Sequence, residues 1–71
     1  MKLLINGKEQ SFLELGSSPT LTDLIAHLKL TGDRVAVEHN GQIVSRSDWA
    51  SNSLSEGDKL EIVHFVGGGM V

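Results

Sequence analysis

The chain has 71 residues, a formal net charge of −3 and no cysteine, which limits it to one small domain without a disulfide scaffold, a thiolate metal site or thiol chemistry of its own. Six lysines and arginines stand against nine acidic residues; nucleic acid requires a basic patch, so a basic protein partner suits the chain better. No apolar run is long enough to span a bilayer, and the N-terminal run is too short for a signal peptide. We therefore expect a cytoplasmic protein that neither binds nucleic acid nor enters a membrane.

The N-terminal segment predicts a β-hairpin. Residues 2–5 and 8–13 flank Asn6-Gly7, and this pair favours a type I′ turn because both central residues of such a turn need positive φ. Residues 16–19 are Gly-Ser-Ser-Pro, a composition typical of a loop, so the second strand should end before them.

One helix follows the loop. Thr20 and Asp23 have the spacing of a capping box, and the helix-end role accounts for Asp23 without a catalytic one. Apolar residues then recur at the helical spacing i, i+3, i+4 and i+7, namely Leu21, Leu24, Ile25 and Leu28. This stripe predicts a helix that covers one face of a sheet, with Lys29 in its last turn and its end before Gly32.

A second Asn-Gly pair, at positions 40 and 41, predicts a second hairpin between residues 34–39 and 42–44. The unbroken apolar run of residues 35–37 suggests a strand with both faces at least partly covered. Residues 45–53 are polar except for Trp49, which indicates a loop with at most one helical turn. Trp49 could anchor a partner, but a lone tryptophan in a small domain more often closes the core, and we favour the core.

The last strand is expected at residues 59–66, after a turn at 54–58. Strand alternation places Leu60, Ile62 and His64 on one face and Glu61, Val63 and Phe65 on the other. If Leu60 and Ile62 meet the helix, Val63 and Phe65 stand on the open face of the sheet. They then form an apolar docking patch or simply pair with neighbouring strand residues.

The C-terminal tail, residues 67–71, follows a domain that covers residues 1–66. Gly67, Gly68 and Gly69 have no Cβ, so they cannot pack a core and lose much conformational entropy on ordering. Such a thin backbone can pass through a narrow channel and offer a carbonyl group to a partner's active site. The alternative is a disordered terminus without a function.

The sequence offers little support for a metal site, a cofactor site or a catalytic centre. His27, His39 and His64 lie on three different predicted elements and lack the spacing of metal ligands. The chain contains no phosphate-binding or dinucleotide-binding glycine motif and no nucleophile motif. We expect no metal, no cofactor and no catalytic residue.

The order hairpin, helix, hairpin, turn, strand and glycine tail resembles the β-grasp, ubiquitin-like fold, and its details resemble the ThiS family of sulfur carriers. The segments that carry this resemblance are 1–7 (MKLLING), 20–25 (TLTDLI), 35–44 (VAVEHNGQIV), 46–49 (RSDW), 54–58 (LSEGD) and 63–69 (VHFVGGG). The resemblance implies an α+β fold with a mixed sheet of four to five strands. The last strand lies parallel to the first in the middle of the sheet, and one main helix packs across one face.

The resemblance also implies a function in thiamine (thiazole) biosynthesis, in which the chain is a substrate rather than an enzyme. An E1-like enzyme adenylates the carboxylate of Gly69, and sulfur from a cysteine desulfurase converts it to a thiocarboxylate. The thiocarboxylate then donates sulfur to thiazole synthase. The candidate partner-binding residues are Val63, Phe65, Val66, Arg46 and Trp49.

One departure from the family pattern concerns the tail, because Met70 and Val71 follow Gly69. Either a protease removes them or the chain has lost the chemistry, and we favour removal. Three alternatives stay open: a carrier for molybdopterin or another thiolated metabolite, a ubiquitin-like protein modifier that joins Gly69 to a lysine, and a non-covalent interaction module.

Overall fold

The structure is a computed structural model that describes residues 1–30 and 32–65. Within them lie five strands, one α-helix and two short 3₁₀ helices. In chain order they are β1 (Lys2–Ile5), β2 (Lys8–Ser11), α1 (Leu21–His27), a 3₁₀ turn (Gly32–Arg34), β3 (Val35–His39), β4 (Gln42–Val44), a 3₁₀ helix (Arg46–Ser51) and β5 (Lys59–His64). Val66 and the predicted tail, residues 67–71, lie outside the described residues.

The five strands form one mixed sheet in the order β2-β1-β5-β3-β4. The central strands β1 and β5 are parallel, and Ile5 pairs with Leu60. The other neighbours are antiparallel, and β3 pairs with β5 from Val35 opposite His64 to His39 opposite Leu60. The expected β-grasp arrangement, with the first and last strands parallel in the middle, is confirmed.

Both Asn-Gly hairpins are confirmed, and the turn residues have the positive φ that a type I′ turn needs, for example 51° at Asn6 and 81° at Gly7. Asn6 also extends the pairing between the two central strands. Its Oδ1 accepts the Ile62 N–H at 2.7 Å, and its Nδ2 donates to the Ile62 carbonyl at 3.0 Å. The side chain therefore continues the β1–β5 ladder beyond the point where the backbone of β1 turns away.

The start of α1 and its end before Gly32 are confirmed, whereas the predicted position of Lys29 in the last turn is wrong. Thr20 Oγ1 accepts the Asp23 N–H at 3.3 Å, and Asp23 Oδ2 accepts the Thr20 N–H at 2.9 Å, which completes the capping box. The helix ends at His27, and Lys29 lies beyond it with φ 59°. The Lys29 N–H donates to the Ala26 carbonyl at 3.0 Å, so a lysine occupies the left-handed position that glycine usually takes.

A single core lies between α1 and one face of the sheet. It consists of Leu3, Ile5, Phe12, Leu21, Leu24, Ile25, Val35, Val37, Trp49, Leu54, Leu60 and Ile62. The expectation that both faces of β3 are covered is wrong, because Ala36 is exposed between buried Val35 and Val37. The core position of Trp49 is confirmed: the side chain is 4% exposed, and its Nε1–H donates to the Val44 carbonyl at 3.2 Å.

Candidate functional site

The C-terminal end of β5 presents apolar side chains to solvent. Val63 and Phe65 are 55% and 54% exposed, whereas Leu60 and Ile62 are buried in the core. The predicted assignment of these four side chains to two faces is confirmed. The Phe65 N–H donates to the Arg34 carbonyl at 2.7 Å, so the backbone pairing reaches the last described residue. Val63 thus lies in β5, and Phe65 directly follows the strand and precedes residues 66–69.

The open face of the sheet leaves Val63 without cover. Its partner across the strands is Ala36, whose methyl group is too small to shield a neighbour. Ile43 on β4 stands opposite Glu38 on the same face and is also exposed. We call Ala36, Ile43, Val63 and Phe65 the open-face patch. Cross-strand pairing therefore occurs at Val63, but it does not bury the side chain, which leaves an apolar surface for a partner.

Arg46 and Trp49 lie on the other side of the molecule. They line a groove of about 310 Å³ between α1 and the 3₁₀ helix Arg46–Ser51, together with Thr22, Ile25, Ala26 and Leu30. Because α1 covers the core face of the sheet, this groove is separated from the open-face patch by the whole core. The structure therefore divides the predicted partner-binding residues between two surfaces, and buried Trp49 offers almost no side-chain area to a partner.

A polar cluster that the sequence did not reveal holds the start of β5. His39 Nε2 lies 2.6 Å from Asp58 Oδ2, and His39 Nδ1 lies 2.5 Å from Asn52 Oδ1. Asp58 also accepts the Ser55 N–H at 2.8 Å and an Asn40 Nδ2–H at 3.2 Å. These residues come from the β3–β4 hairpin and the loop before β5, so their proximity depends on strand pairing rather than on any local pattern.

The cluster explains the electrostatics of Asp58. Partial burial alone would raise the pKa of this carboxyl, but the hydrogen bonds from His39, the Ser55 N–H and Asn40 outweigh burial and hold the pKa below its ordinary value of 3.8. Both ring nitrogens of His39 have a polar partner. The pair therefore joins two loops and does not leave an unoccupied nitrogen to act as a general base.

Within residues 1–30 and 32–65 no three histidine or acidic side chains are placed to hold a metal ion. Over the same residues no helix is long and apolar enough to cross a membrane. What the described site offers is a strand and an apolar patch, both of which come shortly before the predicted glycine tail in the sequence. Such an arrangement can present the chain that follows to another protein's active site. Gly67, Gly68, Gly69 and Val66 lie outside the described residues, and their roles stay predictions.

Comparison with known proteins decides the family. The model of the family described as "ThiS family" matches residues 3–69. The chain belongs to the ThiS family. The sulfur carrier protein ThiS of Bacillus subtilis (strain 168) is 37% identical over 67 residues, which cover 94% of this chain and 98% of that protein. The expected membership is confirmed.

A solved structure and a longer relative complete the comparison. The crystal structure of the thiamine biosynthesis protein ThiS from Geobacter metallireducens matches with a TM-score of 0.78 and 34% identity, covering 97% of this chain and 100% of that one. A thiazole synthase of Paramagnetospirillum magneticum is 46% identical over 69 residues, which cover 97% of this chain and 20% of the synthase. The chain thus spans about a fifth of the length of that synthase.

Proposed function

We propose that this chain is a sulfur carrier of thiamine biosynthesis that delivers sulfur for formation of the thiazole ring. The observation that carries the proposal is the similarity to the Bacillus subtilis sulfur carrier, which extends over 98% of that protein. The family match also runs to residue 69, so it includes the whole glycine run. The chain acts as the substrate of other enzymes and contributes no catalytic group.

Gly69 is the residue that carries the sulfur. A carboxylate is a poor acyl donor until one of its oxygens becomes a leaving group. An E1-like enzyme supplies that leaving group when the Gly69 carboxylate attacks ATP, releases pyrophosphate and becomes an acyl-adenylate. The terminal sulfur of a cysteine desulfurase persulfide then attacks the acyl-adenylate and displaces AMP, which gives an acyl disulfide. A thiol of the partner enzymes cleaves its S–S bond, is oxidised to a disulfide and releases the thiocarboxylate. No cofactor on this chain is needed, because ATP and the persulfide come with the partners.

A carboxylate exists at Gly69 only after the peptide bond between Gly69 and Met70 has been hydrolysed. We therefore propose that a processing protease removes Met70-Val71 before activation. The end of the family match at residue 69 supports this position for the new terminus. Gly67 and Gly68 keep the chain before it free of side chains, so the terminus can enter a channel that no larger residue could pass.

Thiazole synthase is the proposed acceptor of the sulfur. The support comes from the Paramagnetospirillum magneticum relative, a thiazole synthase whose own chain includes a segment that is 46% identical to this one. The open-face patch is the proposed contact with the activating enzyme and the synthase, because Phe65 and Val63 directly precede the tail that must enter both active sites. Val66 would extend this contact. Arg46 and Trp49, on the opposite side, would take no part in it.

The test is activation of a chain that ends at Gly69. It is incubated with ATP, the E1-like enzyme, the cysteine desulfurase and cysteine, and the thiocarboxylate is measured by intact mass. We expect wild-type protein to exchange oxygen for sulfur and Gly69→Ala to remain unchanged, because the added methyl group obstructs a channel shaped for glycine. Ser18→Ala, in an exposed loop, is the matched control. Normal conversion of Gly69→Ala would show that Gly69 is not the reacting terminus.

A further inference from the structure

Both Asn-Gly turns direct their asparagine side chain onto β5, the strand that precedes the predicted tail in the sequence. Asn6 bonds the N–H and the carbonyl of Ile62 from the β1 side. Asn40 reaches β5 from the β3 side. Its Oδ1 accepts the Lys59 N–H at 2.8 Å, and its Nδ2 donates to Asp58 Oδ1 at 3.2 Å. An asparagine amide from each neighbouring hairpin therefore holds β5 in place.

The same two asparagines stand in the sequence context that favours deamidation, because each is followed by glycine, at positions 6–7 and 40–41. In this reaction the glycine nitrogen attacks the asparagine Cγ, the Cγ–Nδ2 bond breaks, and ammonia leaves with the proton of the glycine N–H. Water then opens the resulting succinimide ring to aspartate or isoaspartate. Glycine permits the attack because it has no Cβ to shield its nitrogen, and asparagine is among the thermolabile residues of proteins.

The fold shields the two sites unequally. Attack requires the asparagine Cγ to rotate onto the glycine nitrogen, so both bonds from the amide to β5 must break first. The partner of Asn6 is buried Ile62, at the centre of the sheet, so release of Asn6 requires β1 and β5 to separate. The bonds of Asn40 are exposed to solvent, and its hairpin leads into the three-residue edge strand β4. Such exposed regions open at a lower free energy than a central ladder.

We propose that Asn40 is a site of spontaneous deamidation in the folded protein, whereas Asn6 is protected until the central strands separate. The product matters because the Asn40 amide nitrogen that donates to Asp58 is replaced by an oxygen. Two carboxylates then face each other and repel, which weakens the polar cluster of His39 and Asp58 at the start of β5. Isoaspartate also lengthens the backbone of a two-residue turn, so the register between β3 and β4 is disturbed.

The first test measures amide loss at each site of the full chain at mildly alkaline pH, by mass spectrometry of proteolytic fragments. Each rate is measured in buffer and in urea that unfolds the protein, and the ratio of the urea rate to the buffer rate gives the protection at that site. Protection should be at least about 10-fold greater at Asn6 than at Asn40, which corresponds to about 1.4 kcal/mol in the free energy of opening. Equal protection at the two sites, or no detectable reaction of Asn40 in buffer, overturns the proposal.

The second test concerns the product. Asn40→Asp should melt about 4–8 °C below wild type at neutral pH, because a donor to Asp58 is replaced by a like charge. Gln42→Glu is the matched control, since it makes the same amide-to-carboxylate change at an exposed residue of the same hairpin. Its melting temperature should stay within about 2 °C of wild type. Equal melting temperatures for the two variants would overturn the effect that we assign to the product.

Discussion

Asp58→Ala tests whether the polar cluster at the start of β5 stabilises the fold. The substitution removes the acceptor from the Ser55 N–H at 2.8 Å, from His39 Nε2 at 2.6 Å and from Asn40 Nδ2 at 3.2 Å. The Asp58 side chain is 14% exposed, so water can replace only part of what is lost. At about 1 kcal/mol for each bond, the expected loss is about 2–3 kcal/mol.

That loss is large for a chain of this size. A domain of 71 residues has a free energy of unfolding of about 4–10 kcal/mol, and each 1 kcal/mol shifts the melting temperature by about 4–8 °C. Asp58→Ala should therefore melt about 10–20 °C below wild type at neutral pH. Thermal unfolding followed by circular dichroism, together with urea titration, measures both quantities. Asp48→Ala is the control, since Asp48 is exposed and its carboxylate has no hydrogen-bond partner within the described residues.

The pH dependence of the stability provides a second, independent test of the same prediction. Because the folded pKa of Asp58 lies below its ordinary value of 3.8, the stability that this carboxylate contributes is complete above that value and is lost as the pH falls through the folded pKa. The difference between wild type and Asp58→Ala should therefore shrink well below pH 3.8. A variant that melts within about 2 °C of wild type at neutral pH, or a difference that stays constant into acid, would refute this account of the cluster.

Two further predictions concern β5. Phe65→Asp should raise the KM of the activating enzyme for this carrier. The melting temperature should change by no more than about 2 °C, since the ring is 54% exposed. A KM equal to that of wild type would mean that the open-face patch is not an interface. Asn6→Gly keeps the positive φ but removes both side-chain bonds to Ile62, so we expect a loss of about 1–2 kcal/mol in urea titration and faster amide exchange at Ile62. Unchanged exchange at that amide would contradict the role of Asn6 in the central ladder.

Local chemistry explains which parts of the fold could be predicted from the sequence. Three features depend only on residues a few positions apart, so the local sequence is sufficient to predict them. They are the two Asn-Gly turns, the capping box of Thr20 and Asp23, and the alternation of buried and exposed residues in β5. The parallel pairing of β1 with β5 came from the resemblance to a known family, because strands more than fifty residues apart leave no local signal of their pairing.

The features that could not be predicted depend on tertiary contacts. Lys29 adopts a left-handed conformation that the helix end imposes on a residue with no special preference for it. Ala36 is exposed because α1 covers only one face of the sheet, which an apolar run cannot reveal. The contact between His39 and Asp58 spans 19 positions. The separation of Arg46 from Phe65 likewise depends on the packing of α1 against the core face of the sheet, which the sequence pattern does not reveal.

The measurement that tests the central claim most directly is the intact mass of the protein recovered from its native cells, taken before and after incubation with ATP, a sulfur source and the activating enzyme. The carrier function predicts that Met70-Val71 are absent and that one oxygen is then exchanged for sulfur at Gly69. A chain that retains residues beyond Gly69 and whose mass does not change on incubation would contradict it.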